Sequence, residues 1–251
     1  MPTAFYDWLI GNMGTPGEYI YQGIHIWSTV AVIVCFAAIC MVGIRFRKDT
    51  AVSRKLLIGV AVFQLAFEIL WRLIYFFIKG AALKELWPMY PCNLGGILLP
   101  VFALTNCRKG KQMFYLFGFV GGVLTFAMPD GIFTADVLVF PILKSILQHT
   151  GLLMIPALEL ISGSYRPTLK DMGWVVTGGM IHILNCEVID RLLGFTGDYM
   201  FLRSGLPFVI PGVPKPVTIS VFAVLVFSLL SFLCDIKGSR QFLKNLKKIK
   251  V

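Results

Sequence analysis

The sequence predicts an all-α fold: a polytopic integral membrane bundle of about seven transmembrane helices, with the N-terminus outside and the C-terminus cytoplasmic. Three observations predict it. The 251 residues are 57% hydrophobic and only 14% charged, well below the roughly 25% charge of a soluble globular domain. The apolar residues gather into seven stretches, most near the roughly 20 residues that cross a hydrocarbon core. Lys and Arg lie mainly between those stretches rather than inside them.

In chain order the predicted spans are Gly23 to Ile44, Leu56 to Ile78, Cys92 to Asn106, Met113 to Met128, Val139 to Leu160, Met172 to Leu192 and Val217 to Leu233. The third and fourth are short and rich in Gly, which suits close packing against neighbouring helices. Orientation follows from the connections. The segments after spans one, three, five and seven hold 16 of the 23 Lys and Arg, whereas the opposite side holds Lys79, Lys84, Arg203 and Lys215. Positive charge stays inside, which places the C-terminus in the cytoplasm. No internal repeat and no Gly/Ser/Pro linker divides the chain, so residues 1–235 are expected to form one transmembrane domain and 236–251 a basic cytoplasmic tail. The run Gln241 to Val251 reads first as a topology anchor, with attraction to anionic headgroups as the alternative. The first charged residues are Asp7 and Glu18, so the basic region of a secretory signal is missing and the first span is expected to stay.

A formal charge of +10 invites a nucleic-acid reading, but the basic residues do not share a face with stacking aromatics, and none is expected. Six cysteines do not make a disulfide framework either. Cys35 and Cys40 fall inside an apolar run, Cys107 and Cys234 border basic segments, and only Cys92 and Cys186 approach the outer face.

Ionisable groups within spans are costly, so they face the bundle interior and mark function. Gln64, Glu68 and Arg72 are spaced by four on one face of span two. At about 1.5 Å per residue Glu68 and Arg72 lie roughly 18 and 24 Å from its cytoplasmic start. Span five carries Lys144, Ser145, Gln148 and His149 near the outer edge, and span six brings Asn185, Glu187, Asp190 and Arg191 to its outer end. Glu68 and Arg72 alone could simply neutralise one another, but three helices turning polar at one depth point to a shared cavity. Whether Asp190 and Arg191 belong to it is left open.

Between spans two and three the chain reads Trp87-Pro88-Met89-Tyr90-Pro91-Cys92-Asn93. Pro suits the first helical position, which puts Cys92 in the first turn of span three. The positive end of a helix favours a thiolate, the nucleophilic form. Burial opposes ionisation, so a basic partner is needed. His25 begins span one at the interface, His182 sits mid-span as a packed, hydrogen-bonded side chain, and His149 shares the depth of the polar cluster. Cys with a His base is the minimum for nucleophilic acyl transfer.

At these residues the sequence resembles the YwaF-like family of bacterial integral membrane proteins, related to the eukaryotic transmembrane protein 164 acyltransferases. The likeness rests on the Pro-and-aromatic segment ending in Cys92, on Ser145-Ile146-Leu147-Gln148-His149, and on Thr196-Gly197-Asp198-Tyr199-Met200-Phe201-Leu202. The chain departs from the family pattern at Pro91, where Leu is usual, and at Asp198, where Asn is usual. The resemblance implies Cys92 as acyl-accepting nucleophile and His149 as its base.

The expectation is therefore a membrane transacylase at the outer leaflet, moving an acyl chain from a phospholipid-type ester to a lipid, lipoprotein or glycan acceptor. Glu68, Arg72, Asn93, Lys144, Gln148, Asn185, Glu187 and Tyr199 would bind substrate, with Arg72 and Lys144 on a phosphate and Asn93 near the oxyanion. No metal and no cofactor is expected. Membrane lipids are the expected partner, as substrate and solvent, with a homodimer as a further arrangement. The competing expectation is a transporter or receptor for a small polar or lipid-like ligand.

Overall fold

The computed structural model describes residues 3–10, 18–129, 132–197, 199 and 212–249. A helix stands at each of the seven predicted stretches. They are α2 (Gly23–Arg45), α3 (Thr50–Phe77), α4 (Pro91–Leu104), α5 (Arg108–Ala127), α6 (Phe140–Ser162), α7 (Met172–Ile183) and α8 (Lys215–Cys234), with a short α1 (Thr3–Ile10) before them and α9 (Ile236–Ile249) after. No strand occurs among the described residues.

Among the described residues five helices are long and apolar enough to cross a membrane: α2, α3, α6, the run Leu169–Leu192 that contains α7, and α8. The predicted third and fourth spans fall short of that test. With 14 residues, α4 is about 21 Å long at 1.5 Å per residue, against a core of about 30 Å. Its partner α5 has the length, but it opens on Arg108, Lys109 and Lys111.

Local chemistry sets the boundaries. Helix α3 begins at Thr50, six residues before the apolar run, because the Asp49 carboxylate accepts from the N–H groups of Ala51 and Val52, both at 3.0 Å, an N-cap that satisfies two orphan donors. Pro91 stands in the first turn of α4, as its missing N–H suggests. At the other end of α6, Gly163 takes φ +72° and closes the helix in the left-handed region. Helix α7 passes into a π-helical stretch, Leu184–Ile189, and a last turn, Asp190–Leu192. Periodicity did not announce that change of pitch.

Helix α6 is the axis of the bundle. Two-thirds of its apolar window is buried, whereas α2 and α8 bury under a fifth of theirs and expose side chains such as Val34, Met41, Leu225 and Leu229. In a bilayer those outer faces meet lipid. Helices α3, α4 and α5 pack against α6, and α7 packs on α5. The last approach depends on Gly178, where a Cβ would lie 2.2 Å from the Met113 carbonyl oxygen, the small-residue contact by which membrane helices gain van der Waals packing. Tyr115 ties α5 to α6 by donating to the Pro156 carbonyl.

The chain alternates between two ends. At one end, His25 at the start of α2 accepts from the Tyr21 N–H at 2.9 Å and donates from Nε2 to the Phe126 carbonyl at 3.1 Å. The interface histidine is thus a structural staple. At the other, Arg54 near the start of α3 donates to the carbonyls of Ala103 and Leu104, at 2.8 and 2.7 Å. An apolar layer with Leu57, Ala61, Leu99, Leu152 and Ile155 lies between.

His182 differs from expectation. It is packed against Phe114 and Phe117, but both ring nitrogens are buried without a hydrogen-bond partner among the described residues.

Candidate active site at the start of α4

Cys92 is half-buried in the first turn of α4. Its side chain stands among the first-turn N–H groups of α4, its own and that of Asn93. These belong to the first-turn donors that no helix can satisfy internally, and they carry the positive end of the helix dipole. Tyr90 precedes the helix as its N-cap residue.

Behind Cys92 a single polar network joins α3, α4 and α6. Gln148 donates from Nε2 to the Cys92 carbonyl at 2.6 Å and to Asn93 Oδ1 at 3.1 Å. Its Oε1 accepts from Lys144 Nζ at 2.6 Å. Lys144 also reaches Asn93 Oδ1 at 3.3 Å and Glu68 Oε1 at 3.2 Å. All three ammonium protons therefore have an acceptor. The second Glu68 oxygen, Oε2, receives Arg72 Nη1 at 2.5 Å, and Arg72 Nε continues to the Leu86 carbonyl at 3.2 Å. The contact of Gln148 with α4 needs a glycine opposite it: a Cβ on Gly96 would sit 2.7 Å from Gln148 Nε2.

Five of the predicted residues, Glu68, Arg72, Asn93, Lys144 and Gln148, thus meet within hydrogen-bonding distance beside Cys92. One carboxylate serves two basic side chains. Glu68, Lys144 and Gln148 are buried, while the Arg72 side chain keeps 21% exposure and is the cation that reaches outward.

His149 is one residue from this network and turned away from it. Its Nδ1 donates to the Ser145 carbonyl at 2.7 Å, which leaves the lone pair of the neutral ring on Nε2. No hydrogen bond joins His149 to Cys92 among the described residues.

The other expected residues act around the cluster. Asn185 accepts from Trp87 Nε1 and donates to the Pro88 carbonyl, both at 2.8 Å, and Cys186 Sγ meets the Met89 carbonyl at 3.1 Å. The π-helical stretch therefore holds the three residues that lead into Tyr90 and Pro91. Tyr199 packs edge-on against Tyr90 with ring centroids 4.9 Å apart. Glu187 pairs with the exposed Arg191 at 2.8 Å, away from the network. Asp190 is buried, and neither carboxylate oxygen has a hydrogen-bond partner among the described residues. Asp198, Met200, Phe201 and Leu202 of the third motif, and Arg203, lie outside the described residues.

A second buried cluster corrects the sequence reading. Lys111, counted among the loop charges, is 1% exposed and pairs with Glu159 at 2.5 Å, with Asn106 accepting from it at 2.7 Å. Beside it Gln112 donates to Asp171 at 2.5 Å. Trp87, Cys186 and Lys111 went unassigned because each finds its partner far away in the chain.

Among the described residues no group of three His, Cys, Asp or Glu side chains could hold a metal ion. A helical membrane protein with a thiol at a helix N-terminus, backed by an intramembrane charge network, is the class that fold and site define. A family model matches residues 20–234, nearly the whole bundle with all three motifs. The chain belongs to the TMEM164 family. No curated protein and no solved structure matches it.

Proposed function

We propose that the protein is a membrane transacylase in which Cys92 carries the acyl chain. The observation that supports this best is the wiring of Cys92. It stands in the first turn of α4, and its carbonyl is held by Gln148 within the Lys144–Glu68–Arg72 network. A purely structural ion pair in a bilayer would need Glu68 and one cation. It would not need Gln148 and Asn93 to tie that pair to a cysteine.

The sulfur attacks the ester carbonyl carbon of a phospholipid, forming the C–S bond. His149 turns from its resting place on the Ser145 carbonyl toward the sulfur and takes the Cys92 proton on Nε2, and the tetrahedral oxyanion is met by the first-turn N–H groups and Asn93. Collapse breaks the ester C–O bond, and the proton on His149 goes to the departing lysolipid oxygen. An acceptor hydroxyl or amine then attacks the thioester, the C–S bond breaks, and the sulfur recovers a proton. Arg72, the exposed member of the network, holds the phosphate. In this reading the chain crosses the membrane seven times with the N-terminus outside, the site opens to the outer leaflet of the cell membrane, and the donor is a membrane ester rather than cytosolic acyl-CoA.

The test is incubation of purified protein with an acyl-labelled phospholipid, followed by a search for hydroxylamine-sensitive label on Cys92. The reading fails if Cys92→Ala and His149→Ala take up label or transfer acyl chains as well as the wild type.

A second reading, transport of a polar solute, gains from Lys111 and Glu159, which supply charge at the opposite end. The layer of Leu57, Ala61, Leu99, Leu152 and Ile155 between the two clusters opposes it. Solute flux in proteoliposomes, unaffected by Cys92→Ala, would favour it.

A further inference from the structure

Helix α9 begins two residues after α8 ends, yet it does not continue that span. Asp235 breaks the run with φ −141° and ψ 72°. It then caps the new helix, its carboxylate accepting from the Gly238 N–H at 3.1 Å and its carbonyl from the Ser239 N–H at 2.9 Å. The helix turns across the end of the bundle and packs on the short turn Leu169–Asp171 before α7, with Ser239 buried at the contact.

The sequence of α9 is sharply two-sided. At 3.6 residues per turn Lys237, Arg240 and Lys244 fall within an arc of about 60°, while Ile236, Phe242 and Leu243 fall outside it. Positions 247 and 248, both Lys, continue the basic register, and positions 246 and 249, Leu and Ile, the apolar one. From Ile236 to Val251 there are six Lys or Arg and no Asp or Glu. Ile236 and Leu243 remain 42% and 43% exposed, so the bundle does not cover the apolar side. The helix also lies beyond residue 234, where the family match ends.

A basic, two-sided helix with uncovered apolar side chains, joined by a single residue to a membrane-crossing helix, has one surface within constant reach. We propose that α9 lies in the membrane interface at the end of α8, its Lys and Arg on anionic phospholipid headgroups and Ile236 and Leu243 at the acyl boundary. Charge complementarity and continuity with α8 select lipid over a protein partner. This inference is independent of the transacylase reading.

The test uses the full chain in nanodiscs of phosphatidylcholine alone or with about 30 mol% phosphatidylglycerol, with amide hydrogen exchange read over residues 236–249. Anionic lipid should slow exchange there by about tenfold and leave α6 unchanged, and high salt or the triple variant Lys237→Gln/Arg240→Gln/Lys244→Gln should remove the effect. Equal exchange in the two lipids would overturn the proposal. So would slowing that survives in the triple variant, because the helix would then be held by the bundle and not by headgroups.

Discussion

The two buried charge clusters of this bundle are built from the same residue types and differ in what surrounds them. At the Cys92 end one glutamate serves a lysine and an arginine, the arginine reaches outward, and amide side chains connect the charges to a thiol. At the other end Lys111 and Glu159 are matched one to one, both almost fully buried, with no nucleophile attached. A closed, neutral pair behaves as a lock between α5 and α6. An open network with two basic side chains to one carboxylate, a partly exposed donor and a thiol at its edge has capacity left for a ligand.

Substitutions can break or sharpen that contrast. Cys92→Ala should reduce acyl labelling to background while lowering stability by no more than about 1 kcal/mol, measured by label incorporation and by thermal unfolding in detergent. Lys111→Met should do the reverse. Leaving Glu159 buried and unpaired costs about 3–5 kcal/mol, seen as a lower melting temperature, while activity per folded molecule stays unchanged. The double change Lys111→Met/Glu159→Leu should recover most of that loss, whereas an active role for the pair would leave activity low after stability returned. Gln148→Leu removes the tie between Lys144 and the Cys92 backbone without touching the sulfur, and should lower turnover by about tenfold to a hundredfold through misplacement of the helix start. Arg72→Lys keeps the charge but loses the fork that meets both Glu68 and Leu86. A rise in KM of about fivefold with kcat retained is the expected result. If kcat fell instead, Arg72 would belong with the reacting groups.

Much of the Cys92 end was legible in the sequence because its geometry is helical arithmetic. Glu68 and Arg72 are four apart, as are Lys144 and Gln148, so each pair shares a face by period alone. Depth counting then placed the two faces level. Pro91 marked where α4 begins. What could not be read are contacts made across the chain. Lys111 follows Arg108 and Lys109 in a run that looks like a basic loop, and only the approach of Glu159, 48 positions later, shows that α5 has already started. Asn185 was placed at the right end of the bundle, but its clamp on Trp87 and Pro88 depends on a π-helical pitch that leaves no periodic trace. Asn93 was assigned to an oxyanion, and in the structure its Oδ1 also gathers Lys144 and Gln148. His149 was expected to serve as the base of Cys92, and its commitment to the Ser145 carbonyl is a matter of rotamer and not of spacing.

The unequal lengths of α4 and α5 fix how the sulfur can be approached. The two helices share the turn near Asn106, and α5 has 20 residues to the 14 of α4, so at 1.5 Å per residue α4 starts about 9 Å short of the level where α5 ends. Cys92, in the first turn of the shorter helix, is set back from the end of its neighbour by about that distance. On the transacylase reading, a lipid, whose ester linkages lie beneath its headgroup, would reach a thiol set back in this way sideways from the bilayer. On that reading the short helix would favour esters already embedded in the membrane.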